Sequence, residues 1–183
     1  MHPRGQARAA ALAAAFLPHL LLTAACAAGR PPVAVGGGPS ALPNLGLAAA
    51  AAVRLREGPR ASAWIEAEVT QQCLDDADLT GKDYPAAGDW TQARAGLKLA
   101  FPAAAPREWT VRTGLVWLEA RGRPNLVDDP GSYAGLYLDL GFETRLGEHL
   151  RAGPSLAVMG VAAERGGGRE LVPQVAWRLL WTW

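Results

Sequence analysis

The sequence predicts an all-β fold, an eight-stranded antiparallel up-and-down transmembrane β-barrel that follows a signal peptide. Three observations predict it. First, the last nine residues alternate: Val175, Trp177, Leu179, Trp181 and Trp183 form a wholly apolar row, while Ala176, Arg178, Leu180 and Thr182 form a mixed one. A period of two is the mark of a strand with one greasy and one tolerant face. A water-soluble sheet seldom leaves three tryptophans on one face at a chain end, whereas a membrane barrel strand does so because aromatics sit at headgroup level. Second, the same alternation recurs from Asn44 onward. Third, the segments between strands alternate between tight turns and long polar loops.

Composition agrees with this reading. Half of the 183 residues are apolar, yet mean hydropathy is only +0.03. Helical membrane proteins score much higher; a membrane barrel is intermediate because every second strand residue faces the lumen. The length suits one domain, and the net charge of +1 implies no polyanion, so nucleic acid is not an expected partner.

Residues 1–28 read as the signal peptide. Arg4 and Arg8 give a positive start, residues 9–25 are apolar and rich in Ala and Leu, and small residues follow at Ala24, Ala25, Ala27 and Ala28. A membrane anchor is the alternative, but Pro18 and His19 interrupt the run and no charged stop-transfer cluster follows. Leu22-Thr23-Ala24-Ala25-Cys26 resembles a bacterial lipoprotein cleavage box, with Thr23 where that family prefers Leu, so Cys26 is a candidate lipidation site. If Cys26 leaves with the signal, Cys73 is the sole cysteine and no intrachain disulfide forms.

Residues 29–43 read as a weak first strand, around Val33–Gly36, and a Gly/Pro loop; residues 44–183 hold the main part of the barrel. Pro31 and Pro32 suit only a strand's first residues. Residues 44–56 alternate Leu45, Leu47, Ala49, Ala51, Val53 and Leu55 with Gly46, Ala48, Ala50, Ala52, Arg54 and Arg56. Glu57-Gly58-Pro59-Arg60 is a tight turn. Residues 61–72 set Ala63, Ile65, Ala67 and Val69 against Trp64, Glu66, Glu68 and Thr70. Residues 73–88 are a polar loop. Residues 89–101 set Thr91, Ala93, Ala95, Leu97, Leu99 and Phe101 against Gln92, Arg94 and Lys98. Residues 102–107 turn the chain. Residues 108–119 carry Trp109, Val111, Thr113, Leu115 and Trp117 opposite Arg112. A second long loop covers 121–131. Residues 132–146 set Ala134, Leu136, Leu138, Leu140 and Phe142 against Tyr133, Tyr137, Asp139, Glu143 and Arg145. Gly147-Glu148 is a turn, 149–164 a strand diluted by Gly and Ala, and 165–168 a short Gly loop. Seven strands run from Asn44 to the end, and an even count requires the weak first strand as the eighth.

The apolar rows lack charge at their centres, where a Lys or Arg would cost roughly 2–4 kcal/mol in the bilayer. Each strand spans about a dozen residues, enough for the roughly 9–11 that a tilted crossing needs. Trp64, Trp90, Trp109, Trp117, Tyr133, Trp181 and Trp183 fall near strand ends, which reads as an aromatic girdle. The opposite rows collect Arg54, Glu66, Glu68, Arg94, Lys98, Arg112, Asp139, Glu143, Arg145, Arg151 and Arg178. An eight-stranded barrel has a lumen that side chains fill, so these charges must pair. A structural plug of salt bridges is the leading expectation, and a narrow basic conduit or anion site the sharper one.

The terminal row, Val175, Trp177, Leu179, Trp181 and Trp183, resembles the closing strand of bacterial outer-membrane proteins, though those usually end in Phe. Over residues 31–183 the chain resembles the small OmpA/OmpX-type outer-membrane barrels in its topology, girdle and terminal row. That resemblance implies a monomer in the outer membrane of a Gram-negative bacterium. It also implies that the terminal row serves as the signal for the barrel-assembly machinery, and that membrane lipid and lipopolysaccharide surround the barrel. It carries no sequence motif from which functional residues could be transferred, and the fold hosts adhesins, envelope-stability proteins and a few lipid-modifying enzymes.

Chemistry is sparse. His149 is the only histidine after the signal, and neither Ser132 nor Ser155 stands at useful spacing from it, so no catalytic site is expected. No metal or cofactor site is expected either, since one His and one Cys cannot hold zinc. Asp75, Asp76, Asp78, Asp83, Asp128 and Asp129 could hold divalent cations, but their spacing fits no loop motif and suits solvated loops. The leading expectation is a structural or surface-interaction barrel with a charge-filled lumen and no open pore. A lipid A acyl-modifying enzyme and a soluble periplasmic lipoprotein barrel are the alternatives.

Overall fold

The computed structural model of the protein describes residues 33–41, 45–74, 90–120, 131–163 and 169–183. The signal segment, Cys26, the aspartates of the two long loops and the side chain of Trp90 lie outside the described residues. Eight strands follow one another: β1 (Val33–Ala41), β2 (Leu45–Glu57), β3 (Ser62–Leu74), β4 (Trp90–Pro102), β5 (Arg107–Ala120), β6 (Gly131–Arg145), β7 (Leu150–Ala163) and β8 (Arg169–Thr182). Each pairs antiparallel with its sequence neighbour, and β1 pairs with β8, so the sheet closes into a barrel. Closure removes every sheet edge, and with it the unpaired backbone groups that hydrocarbon would not tolerate.

The register shows why the alternation was readable. From Arg107↔Thr144 to Ala120↔Gly131, β5 and β6 pair without a shift, so Leu115 faces Leu136 on one side and Arg112 faces Asp139 on the other. Leu47, Leu115, Leu136, Leu138, Leu140, Leu156 and Leu171 all project outward and are exposed. The tight turns close at one end: Gly58 N–H donates to the Ala61 carbonyl at 3.0 Å, Ala103 N–H to that of Arg107 at 2.9 Å, and Leu146 N–H to that of Leu150 at 2.8 Å. Both strand termini share this turn end, where Trp183 N–H donates to the Val33 carbonyl at 3.0 Å. The connections 42–44, 75–89, 121–130 and 164–168 leave from the opposite, loop end.

Two expectations are corrected. The first strand does not stop at Gly36; it runs through Gly37, Gly38 and Pro39 to Ala41, so the expected Gly/Pro loop is largely strand. Glycine fits because a Cβ at Gly36 or Gly38 would collide with a carbonyl of β8, and one at Gly37 with the Ala48 carbonyl. The aromatic girdle is also smaller than expected. Trp109, Trp177, Trp181 and Trp183 are exposed on the outside, but Trp64 and Tyr133 are buried within the barrel. Both belong to the charge-bearing rows, and that parity decides their direction over their position near strand ends.

Candidate functional site

Inside the ring, alternate residues of β3, β4, β5, β6 and β8 converge on a compact group of charges. Glu66 and Glu68 come from β3, Arg94 and Lys98 from β4, and Arg112 from β5. Asp139 and Glu143 come from β6, and Arg178 from β8. All are buried. The carboxylates number four and the cations four, so the group is neutral as a whole. That balance suits a low-dielectric interior, where an unpaired ion costs several kcal/mol.

Two arginines organise the group. Arg112 donates through Nη1 to Asp139 Oδ1 at 2.9 Å, through Nη2 to Glu143, and lies with Nε 3.2 Å from Glu66 Oε1. Arg178 places Nη1 2.9 Å from Glu66 Oε1 and 2.5 Å from Glu68 Oε2, and Nη2 3.1 Å from Asp139 Oδ2. Its Nε donates to Ser155 Oγ at 3.2 Å. A planar guanidinium offers several donors in fixed directions, which lets each arginine serve three acids drawn from β3 and β6. Arg94 pairs with Glu68 and lies 5.2 Å above the Tyr137 ring, while Lys98 Nζ donates to both oxygens of Glu143 at 2.7 and 2.9 Å. Glycine makes the room. Gly96 and Gly114 oppose each other across β4 and β5 beside this group, and a Cβ at Gly141 would collide with the Arg112 guanidinium.

The other expected lumen charges stand apart from this group. Arg54 pairs with Glu57 at 2.9 Å near the turn end and lies 5.5 Å over the Trp64 ring. Arg145 and Arg151 share Glu108, the former at 3.3 Å. Glu108 was not among the expected residues, although its even-numbered parity with Arg112 places it on the inner row. A second, apolar layer carries no charge that would mark it in the sequence. On the loop-side half of β5–β8, Val116, Leu118, Tyr133, Tyr137, Met159, Val161 and Val172 form a buried apolar cluster inside the ring. It stands across from Thr70 and Gln92, which are fully buried, and Gln92 donates to Gln174 at 3.3 Å. The interior thus has an ionic tier toward the turn end and a largely apolar tier toward the loop end.

The residues weighed for catalysis are not brought together. Ser155 is engaged by Arg178 within the lumen. His149 is exposed at the turn end, with Nδ1 2.9 Å from the Thr182 carbonyl and its ring 5.6 Å from that of Trp181. Ser132 sits at the loop end of β6, opposite Glu119. Val175, Trp177, Leu179, Trp181 and Trp183, the row weighed as an assembly signal, are 41–63% exposed along the outer face of β8.

Solved structures share this architecture. Ail, the attachment invasion locus protein of Yersinia pestis, superposes with a TM-score of 0.55 at 9% identity, covering 85% of this chain and 100% of that one. The chain has the fold of a small eight-stranded outer-membrane barrel. Ail in complex with the heparin analogue sucrose octasulfate gives this barrel a TM-score of 0.54 at 9% identity, over 83% of this chain and 97% of that one. A major outer membrane protein from Thermus thermophilus reaches a TM-score of 0.50 at 15% identity, over 85% of the barrel chain and 100% of its own. No family model and no curated protein matches the sequence.

Proposed function

We propose that this chain is a monomeric outer-membrane barrel with a closed lumen and a structural or surface-interaction role. The interior carries the reading: a neutral four-acid, four-base ionic tier and an apolar tier stacked along the same axis. An aqueous channel would need a continuous polar path, and buried Leu118, Met159 and Val172 break one. The apolar exterior and the terminal row of β8 support insertion by the barrel-assembly machinery into a membrane shared with lipopolysaccharide. The short turns then face the periplasm and the loops face outward. Residues 75–89 and 121–130, the two longest connections among the eight strands, are the proposed contact surface.

Two measurements on the purified protein test this. On a denaturing gel, a band that shifts on boiling is expected of a detergent-resistant barrel. In a planar lipid bilayer, no discrete conductance steps are expected. Regular steps would overturn the closed lumen, and recovery of the protein in the soluble periplasmic fraction would overturn the membrane placement.

A further inference from the structure

The turn end holds a second site, separate from the central ionic tier. A cavity of about 340 Å³ opens there inside the ring, walled by Arg54, Arg107, Arg145 and Arg151 with Glu57 and Glu108. Its volume falls at the small end of the roughly 300–1,000 Å³ typical of small-molecule pockets. Three guanidiniums face two carboxylates. Arg54 is matched by Glu57, but Glu108 alone serves both Arg145 and Arg151. Arg107 joins the wall from the outer row of β5, with its guanidinium 6.0 Å over the outward Phe142 ring. One positive charge is therefore in excess inside the cavity. Arg145 is half exposed, at 52%, while Arg151 at 14% and Glu108 at 18% are held in the wall. Arginine donors left over after the shared contact have the geometry that carboxylate and phosphate oxygens accept. Ser62, whose Oγ accepts from the buried Trp64 indole at 2.9 Å, and buried Ala100 also line the cavity.

We propose that this cavity binds a small, soluble polyvalent anion bearing carboxylate or phosphate groups, taken up from the side of the short turns. The ligand supplies the second carboxylate or phosphate partner that Arg145 and Arg151, which share Glu108, lack. The walls from β2 to β7 and the 103–106 turn set an upper limit to its size.

The test is titration calorimetry on the whole barrel in an uncharged detergent, with pyrophosphate and citrate as probes at ionic strength fixed by chloride. Saturable one-to-one binding is expected. Arg145→Ala with Arg151→Ala should weaken it by roughly tenfold or more, the effect of losing a hydrogen bond between charged groups. Arg60→Ala, an exposed arginine outside the cavity wall, should leave it unchanged. Glu108→Gln should tighten it by freeing both arginines, an effect misfolding cannot imitate. Each variant is also run on the heat-shift gel. Absence of saturable binding, or equal losses in Arg60→Ala and in the double variant, would overturn the site while an intact heat shift leaves the barrel standing. Competition by phosphatidylglycerol in reconstituted vesicles would assign the site to a lipid headgroup and overturn the soluble ligand.

Discussion

Arg112 is the residue on which the interior depends most. Its guanidinium contacts Glu66, Asp139 and Glu143, which come from two other strands, β3 and β6. Removing it leaves four buried carboxylates against three cations. Arg112→Ala is expected to lower unfolding free energy by about 3–5 kcal/mol, the usual consequence of stranding a buried charge. Arg112→Lys keeps the charge but loses the fork, and should lose less. Urea unfolding in lipid vesicles measures both, and equal losses would show that charge is not what Arg112 supplies. The outer face obeys the opposite rule. Leu138, 51% exposed near the middle of β6, tolerates no charge if lipid surrounds it. Leu138→Arg should cost about 2–4 kcal/mol, whereas Trp109→Arg near the turn end should cost about 0–1, following the depth dependence of lipid-facing charges. Equal costs at the two depths would argue against a bilayer around this wall.

Among the elements, β5 and β6 were most legible in their turn-side halves, where outward Trp109, Val111, Leu138 and Leu140 alternate with inward Glu108, Arg112, Asp139 and Glu143. β1 was not. Between Gly36 and Gly38 it has no side chains to alternate, and the pairing with β2 and β8 that defines it is invisible to a local pattern. Those glycines allow close approach to β8, so Gly36→Val is expected to lower stability by about 1–3 kcal/mol through forced displacement of backbone. Gly147→Ala, at a turn glycine with open space around it, serves as the matched control and should change little. The temperature at which the compact gel band disappears gives the comparison. Parity likewise identified the rows but not their contents along the axis. Val116, Leu118, Met159, Val161 and Val172 share the inner rows of Arg112, Arg151 and Arg178, yet only the charges stood out in the sequence. An inner row that is charged at its middle and apolar at its loop end needs the third dimension to be seen as two tiers. The same reasoning explains Glu108, which sits at a strand end and pairs with arginines from β6 and β7.

At the scale of the molecule, an ionic and an apolar tier lie in series along one axis, and on the proposed closed-lumen reading either is expected to close the lumen alone. Leu118→Ala with Met159→Ala should cost about 2–5 kcal/mol per site through the cavities created, while conductance in a planar bilayer stays at zero because the ionic tier is untouched. Conductance steps in that variant would show that the apolar tier is the sole seal.

The short distance between the two strand termini has a consequence for how the chain can be rewired. Val33 and Trp183 meet through a backbone hydrogen bond at 3.0 Å, so the order of the strands around the ring does not depend on which of them is made first. A circular permutant that joins Trp183 to Val33 by a short linker, and begins instead within the turn at residues 58–61, has the same neighbours at every strand. It separates what the ring requires from what β8 contributes: refolding in detergent should survive the permutation, while on the proposed reading of the outer row of β8 as an assembly signal, delivery to the membrane in the cell should fall, since β8 would then be followed by β1 and β2.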